Sequence, residues 1–387
     1  MWMTEQGPLS GVVIVDLSRV LAGPYCTMVL ADLGARVIKV EAPPRGDDSR
    51  HYGPFVNGKS AYFMSLNRGK ESIVLDLKAE ADRSLFLRLL GKADVLVENF
   101  RPGTMQKLGL GWEELHKRHP RLIYAAVSGF GQNGPYSSRP AYDIIVQAMG
   151  GVMSLTGHPD SPPVRVGVSI GDLVAALFLC VGINAALYHR ALTGEGTLID
   201  VAMLDAQVAI LENAIARYTS TGVVPQPLGT RHPSITPFDV FKASDGYVVI
   251  AAGNDSLFAR LCAVLGRSDL AANPLFLNNE LRTRHQAALK DELETELGRQ
   301  PVRHWLAVLE EAGVPCGPLN TVDKVLADPQ IKARNMVVST EDPVAGLLTL
   351  AGNPLKFSTF PDPTTRPPAP DLDADRGRVL DLLAPED

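Results

Sequence analysis

At 387 residues, 45% hydrophobic and 21% charged, the chain has the composition of an ordinary globular protein and is long enough for two domains with a substantial core. Its net charge of −6 argues against a nucleic-acid binder, which would show a basic field. A small anion held by a few local arginines and lysines stays compatible with that balance.

Taken in chain order, residues 11–16 (GVVIVD) read as a buried strand rich in β-branched residues. Gly23 and Pro24 open a helix that runs to Asp32, with Gly34 at its C-cap. Residues 36–41 (RVIKVE) are a second strand, which completes a strand–helix–strand unit of Rossmann-like type. Residues 72–77, 94–98 and 122–127 are further strands, separated by helical patterns such as 79–90. This alternation predicts an α/β fold with a parallel sheet. Helices are expected over 172–189 and 200–216. Pro225, Pro227, Pro233 and Pro237 then crowd into a linker or ordered loop. A strand at 246–252 and helices to Asp328 form a smaller α/β domain. Residues 354–370 are proline-rich and extended, and a helix at 374–383 ends the chain. The expected organisation is a large Rossmann-like domain over 1–220, completed by 329–387, and a small domain over 229–328.

Several motifs carry less than they promise. Gly129-Phe-Gly131-Gln-Asn-Gly134 matches a dinucleotide fingerprint, but Pro135 and the Ser137-Ser-Arg-Pro140 stretch follow it, which is loop chemistry. A fingerprint must open a helix whose N-terminus holds the pyrophosphate. Glu41, at the end of the second strand, has the position of a ribose ligand, although acidic strand ends are common. His116 and His119 lie three apart with Pro120 next and no third ligand near, so a solvated helix face is the better reading and no metal site is expected. Cys26, Cys180, Cys262 and Cys316 are scattered among apolar neighbours, the pattern of reduced, packed thiols in a reducing, cytosol-like compartment. The first seven residues show no signal-peptide pattern. The apolar run 173–183 is too short to span a bilayer, so no membrane is expected.

Asp172 stands at the head of that apolar run. A helix N-terminus carries unpaired N–H groups and the positive end of the dipole, which favour an ionised carboxylate. Such a carboxylate beside an apolar interior is either a helix cap or a nucleophile. Taken alone, the segment favours the cap.

The ordered set of motifs shifts that balance. Residues 14–41 (IVDLSRVLAGPYCTMVLADLGARVIKVE) resemble the opening of the class III CoA-transferases, the group of formyl-CoA transferase and carnitine CoA-transferase. Asn67-Arg-Gly-Lys70, Val97-Glu-Asn-Phe-Arg-Pro-Gly103, Ser128 to Pro135, Arg139-Pro-Ala-Tyr-Asp143 and Gly171-Asp172 follow in the family's order. Gly229-Thr-Arg-His, Gly246 to Asn254, Val314 to Asn320 and Asp328-Pro-Gln continue it to near the C-terminus. The branch most resembled is the succinyl-CoA-dependent dicarboxylate transferases, such as the succinate–hydroxymethylglutarate (glutarate) enzyme.

The resemblance implies a Rossmann-like fold in an interlocked homodimer, with acyl-CoA as substrate and no permanently bound cofactor. It implies that Asp172 is the nucleophile, passing through an aspartyl–acyl anhydride and an aspartyl-CoA thioester. It places Arg19, Val20 and Ala22 in the first βα turn, and Leu75, Lys78 and Lys107 around the adenosine diphosphate, with Arg101 a further CoA contact. Ala42 stands where the family has an arginine, and Arg45 is the candidate substitute. Tyr142 and Asp143 map near the active site. Gly253 and Asn254 map to the family's glycine loop, which here has fewer glycines than in formyl-CoA transferase. A dicarboxylate acceptor needs a cation for its second carboxylate. Arg19, Arg139 and Arg231, the last assisted by His232, are the candidates. Two competing functions share these features. A methylacyl-CoA racemase would need a histidine where Tyr142 stands, and a silent acyl-CoA-binding subunit would not need Asp172.

Overall fold

The computed structural model describes residues 7–384. The N-terminal segment read for a signal peptide therefore lies, apart from Gly7, outside the described residues. The chain divides into two compact units. Of the described residues, one gathers 7–152, 165–215 and 328–384, and the other 153–164 and 216–327.

The first unit is built on a sheet whose strands are β1 (Val13–Asp16), β2 (Arg36–Glu41), β3 (Glu71–Val74), β4 (Val95–Glu98), β5 (Ile123–Ser128) and β6 (Leu198–Ala202). Their order is β3-β2-β1-β4-β5-β6, with every neighbouring pair parallel. The strand order reverses between β1 and β4, so the loops that leave these two strands part in opposite directions and open a crevice at their carboxyl ends. Helices α1 (Ala22–Asp32), α2 (Ala61–Asn67), α3 (Glu80–Leu90), α4 (Thr104–Lys107), α5 (Trp112–Arg118), α6 (Asp143–Met149), α7 (Ile170–Thr193) and α8 (Met203–Ala209) surround the sheet.

The strands read as continuous apolar runs because both faces of the sheet are covered. Ile14, Val37, Val95, Val97, Ile123 and Val127 face α1 and α7 in one core cluster. Val15, Ile38, Ile73, Leu96 and Ala126 pack with Phe86, Leu89, Leu110 and Leu115 in the other. Each fully buried Val, Ile or Leu contributes about 1.5–3 kcal/mol. Gly34, at φ +99°, follows the end of α1, where a left-handed residue lets the chain turn into β2.

Four expectations for this unit need correction. The segment 200–216 is not one helix: Leu198–Ala202 pairs in parallel with Tyr124–Ser128, and the helix begins only at Met203. The helix bearing Asp172 is longer than expected, from Ile170 to Thr193. By length and composition it could cross a bilayer, which overturns the reading that the run is too short. In this fold it is packed, with Ala175, Ala176, Leu179, Cys180 and Ile183 in the core beside α1. Third, His116 is not on a solvated face, because its ring stacks on Trp112 at 4.4 Å. The fourth concerns the carboxy-terminal part of the unit, which contains an unexpected hairpin, β10 (Val337–Asp342) with β11 (Gly346–Ala351).

The second unit carries a three-stranded antiparallel sheet of β7 (Phe238–Lys242), β8 (Tyr247–Ala251) and β9 (Cys316–Pro318), with β8 central. Strand β7 follows directly on the proline-rich segment, where only loop was expected. Helices pack on this sheet through Phe258, Leu261, Leu289, Leu293, Trp305 and Leu309.

Candidate active site

The first turn after β1 is held from below by buried charges. Asp16, at the end of β1, accepts hydrogen bonds from the Ser18 and Thr27 hydroxyls and pairs with Lys70 at 3.1 Å. Burial would raise its carboxyl, but Lys70, Lys39 and these hydroxyls outweigh it and bring it down to about 2. Burial also lowers the Lys70 ammonium, to about 8, against the opposing pull of Asp16. Lys39 donates to the Ser18 carbonyl at 2.7 Å and pairs with Asp47 at 2.8 Å. Gly23 is required by close approach, since a Cβ there would lie 2.2 Å from that of Ser18. The turn ends where α1 begins, so the first N–H groups of α1 have no partner inside the helix.

Asp172 meets that helix end. It is the third residue of α7 and half-buried; Ala22 lines the same cavity, and its N–H favours the ionised carboxyl. The cap of α7 is not Asp172. Ser169 is the N-cap residue, and the free N–H of Gly171 is taken by Asp143 Oδ1 at 2.8 Å. Gly171 has to be glycine here: a Cβ would stand 2.7 Å from Val146 Cγ2 and 3.0 Å from Asp143 Oδ1. Asp143 Oδ2 accepts from Gln147 at 2.8 Å and faces Arg165 at 3.7 Å.

The sequence led us to expect a helix terminus that keeps Asp172 ionised. The site works the other way on balance. Burial first, and the charge of Asp143 second, push the Asp172 carboxyl up to about 7, and the Ala22 N–H only partly offsets them. A carboxylate near its titration point at neutral pH, short of solvent and next to a like charge, is a more reactive nucleophile than a solvated one.

Around it lies a cavity of about 240 Å³ at the crevice between β1 and β4. Arg19, Val20, Ala22, Arg101, Arg139, Tyr142 and Asp172, all expected from the sequence, line it. Arg19 reaches Asp48 at 3.3 Å and lies over the Phe100 ring. The Arg139 guanidinium carbon lies over the Tyr136 ring, 3.9 Å from its centroid, and no carboxylate among the described residues pairs with it. Tyr142 is 71% exposed and precedes α6 as its N-cap. A second cavity, of about 190 Å³, shares Arg19 and Phe100 with the first and is lined by Leu17, Val40, Leu75, Leu77, Lys78 and Leu108. Leu75 and Lys78, expected near the adenosine diphosphate, are thus brought together on this second cavity. Lys107 is exposed at the end of α4 and lines neither cavity. Arg45 is exposed beside His51. Glu41 is not available to a ribose, because Arg50 clamps both its oxygens, at 2.6 and 2.8 Å.

The remaining candidates belong to the second unit. Arg231 lines a groove there with Phe238, Asp239 and Lys290. The His232 ring packs on Phe238, and its Nδ1 accepts the Ser234 N–H at 3.1 Å. Gly253 is closely opposed by Ile235, and the Asn254 side chain caps the helix that starts at Asp255. The Gly129–Gly134 segment is irregular and opens no helix, as its prolines implied. Sequence reasoning missed Tyr62 and the capping role of Asp143. Burial, and next the charge of Asp172, push the Tyr62 phenol up to about 12, so it stays a neutral O–H donor near the carboxylate. The sequence signal for Asp143 was its place in Arg139-Pro-Ala-Tyr-Asp143; Tyr62 had none.

Comparison with known proteins agrees with this geometry. The family described as CoA-transferase family III matches residues 9–376. An acetyl-CoA:oxalate CoA-transferase of Acetobacter aceti is 51% identical over 384 residues, 98% of this chain and 97% of that protein. A succinate–glutarate CoA-transferase of Agrobacterium fabrum is 41% identical over 380 residues, covering 96% and 95%. The crystal structure of a CAIB/BAIF family protein from Brucella suis superposes with a TM-score of 0.86 at 40% identity, covering 98% of this chain and all of that one.

Proposed function

The chain belongs to CoA-transferase family III, and we propose that it moves CoA from a short acyl-CoA to a dicarboxylate acceptor through covalent intermediates on Asp172. The observation that carries this reading is the Asp172 carboxyl itself. It is set against the free N–H of α1, freed from capping by Asp143, and opens on a cavity walled by three arginines.

Asp172 attacks the donor thioester carbonyl. The tetrahedral adduct collapses to an aspartyl–acyl anhydride and CoA thiolate. The thiolate attacks the aspartyl carbonyl, giving aspartyl-CoA thioester and the free donor acid. The acceptor carboxylate attacks that thioester, re-forming an anhydride and releasing the thiolate. The thiolate then takes the acceptor acyl group and restores the Asp172 carboxylate. Every step exchanges one anion for another, so the cycle needs no proton relay. It does need donors for each oxyanion and exclusion of water from the anhydride. The Ala22 N–H and the Tyr62 hydroxyl are the donors proposed in this unit. Arg19, Leu75, Lys78, Arg101 and Lys107 are the proposed CoA contacts, and Arg139 heads the candidates for the acceptor's distal carboxylate, ahead of Arg231 with His232.

The Agrobacterium relative, named for succinate and glutarate, fits a reading with succinyl-CoA as donor, and the Acetobacter relative adds acetyl-CoA and oxalate to what must be tested. A racemase reading has less support, since the exposed Tyr142 stands where that chemistry wants an acid–base histidine. Both donors should be assayed against oxalate, succinate, glutarate and mesaconate, with formate and acetate as controls. Equal kcat/KM for mono- and dicarboxylates would overturn the acceptor assignment.

We also propose a homodimer in a reducing, cytosol-like compartment. Leu177, Phe178, Val181, Tyr188 and Leu192 form an exposed apolar stripe along α7, which a second copy would cover. The free thiols at Cys26, Cys180, Cys262 and Cys316 fit the compartment. Light scattering that finds a monomer at micromolar concentration would contradict the dimer.

A further inference from the structure

Val20 has φ +68°. The other non-glycine residues with positive φ among those described are Asn57, Asp160, Glu212, Asn335 and Asp373, so Val20 is the β-branched one. A β-branched side chain in this region is an outlier that persists only where its surroundings impose it. The strained residue lies two positions before Ala22, and Val20, Ala22 and Asp172 line one cavity, in which the Ala22 N–H favours the ionised carboxyl.

Two side chains impose the conformation. Asn99 grips the Arg19 peptide from one side: its Oδ1 accepts the Arg19 N–H at 2.8 Å and its Nδ2 donates to the Arg19 carbonyl at 2.7 Å. Asp47 takes the other side, its Oδ1 accepting the Val20 N–H at 3.1 Å. Asp47 is itself rigid. The Ser49 N–H and hydroxyl bond to Oδ1 at 2.9 and 2.8 Å, and Lys39 lies 2.8 Å from Oδ2. Its own N–H donates to Glu41 at 2.9 Å. The Asp47 side chain has no exposed surface, although the residue borders the second cavity.

We propose that Asp47 is a positioning residue for Asp172: with Asn99 it holds Val20 in the left-handed conformation, and this aims the Ala22 N–H at the nucleophilic carboxyl. The inference rests on Asp172 being the nucleophile. If the Asp47 oxygen is lost, Val20 relaxes toward ordinary φ and the Ala22 N–H turns away. That N–H favours the ionised carboxyl, so its loss moves the Asp172 titration to higher pH. The other groups facing Asp172 are Asp143 from α6, Tyr62 from α2, and the cavity arginines Arg19, Arg101 and Arg139. None of them is altered in the test below.

The test is run in a Lys39→Met background, so that no variant strands a buried cation. Asp47→Asn keeps an acceptor for the Val20 N–H; Asp47→Leu removes it. The Leu variant should lose at least about tenfold in kcat relative to the Asn variant. The acid limb of its pH profile should move to higher pH. Adding Val20→Gly should shrink the gap between the two to about threefold or less, because glycine adopts positive φ freely. Equal kcat for the Asn and Leu variants, an unmoved acid limb, or a gap that persists with Gly at position 20 would each overturn the proposal. If the Leu variant does not fold, Asn99→Ala in the unmodified protein is read through the same cycle, and a loss unchanged by Val20→Gly overturns it. Amide exchange at Val20, slow with Asn and fast with Leu, reports the clamp whatever Asp172 does. Loss of the Asp172 mechanism would therefore be seen separately, as full turnover by Asp172→Asn.

Discussion

Replacing Asp143 by Asn should make the enzyme work at lower pH. Asp143 is the second cause, after burial, of the elevated Asp172 titration at about 7. The Asn oxygen can still accept the Gly171 N–H, so the start of α7 is kept and only the charge is lost. Two neighbouring carboxylates that couple at a partly solvated site interact by roughly 1–2 kcal/mol, which is about one pH unit. With the limb at pH 7, about a tenth of the enzyme is ionised at pH 6; with the limb near 6, about half is. The variant should therefore gain about fivefold in kcat/KM at pH 6, about twofold at pH 7, and nothing at pH 8.5. Initial rates of acyl-CoA formation across pH 5 to 9 measure this directly, with melting temperature as the control for folding. An acid limb that stays in place or moves upward would refute the electrostatic reasoning. A uniform loss at every pH would instead assign Asp143 to positioning.

Asp172→Asn should abolish transfer by about 10⁴-fold while making the protein more stable at alkaline pH. The folded carboxyl titrates at about 7 against 3.8 in the unfolded chain. The folded state thus binds the proton more tightly, and stability present at low pH is lost as pH rises through 7. The variant escapes that loss, so its melting temperature should exceed the parent's more at pH 8 than at pH 5, by the equivalent of about 2 kcal/mol. A difference that is flat with pH would contradict the elevated titration. Arg139→Leu should raise KM for dicarboxylates by about tenfold or more and leave acetate or formate within about threefold. A common rise for both classes would move Arg139 from the acceptor to CoA.

What the sequence disclosed follows the range of the interactions concerned. Strands β1, β2, β4 and β5 are legible because burial on both faces writes unbroken β-branched runs into the chain. Leu198–Ala202 was misread as helix because its run continues into the helix at Met203, and its partner, Tyr124–Ser128, is far away in sequence. Strand β7 was hidden by the prolines just before it. Asp172 could be found from Gly171-Asp172 and the order of the motifs. Its ionisation could not, since the helix end visible in sequence favours the anion, whereas Asp143, 28 residues before Gly171, and the surrounding burial oppose it. Tyr62 and the strain at Val20 depend wholly on tertiary neighbours.

The most direct test is to trap the intermediate. The enzyme should be incubated with succinyl-CoA or acetyl-CoA and hydroxylamine, digested, and the peptide containing Asp172 weighed. A hydroxamate mass shift on Asp172, dependent on acyl-CoA and matched by loss of activity, is the predicted result. A shift on another residue, or turnover by Asp172→Asn at the parent rate, would contradict covalent catalysis at this carboxyl.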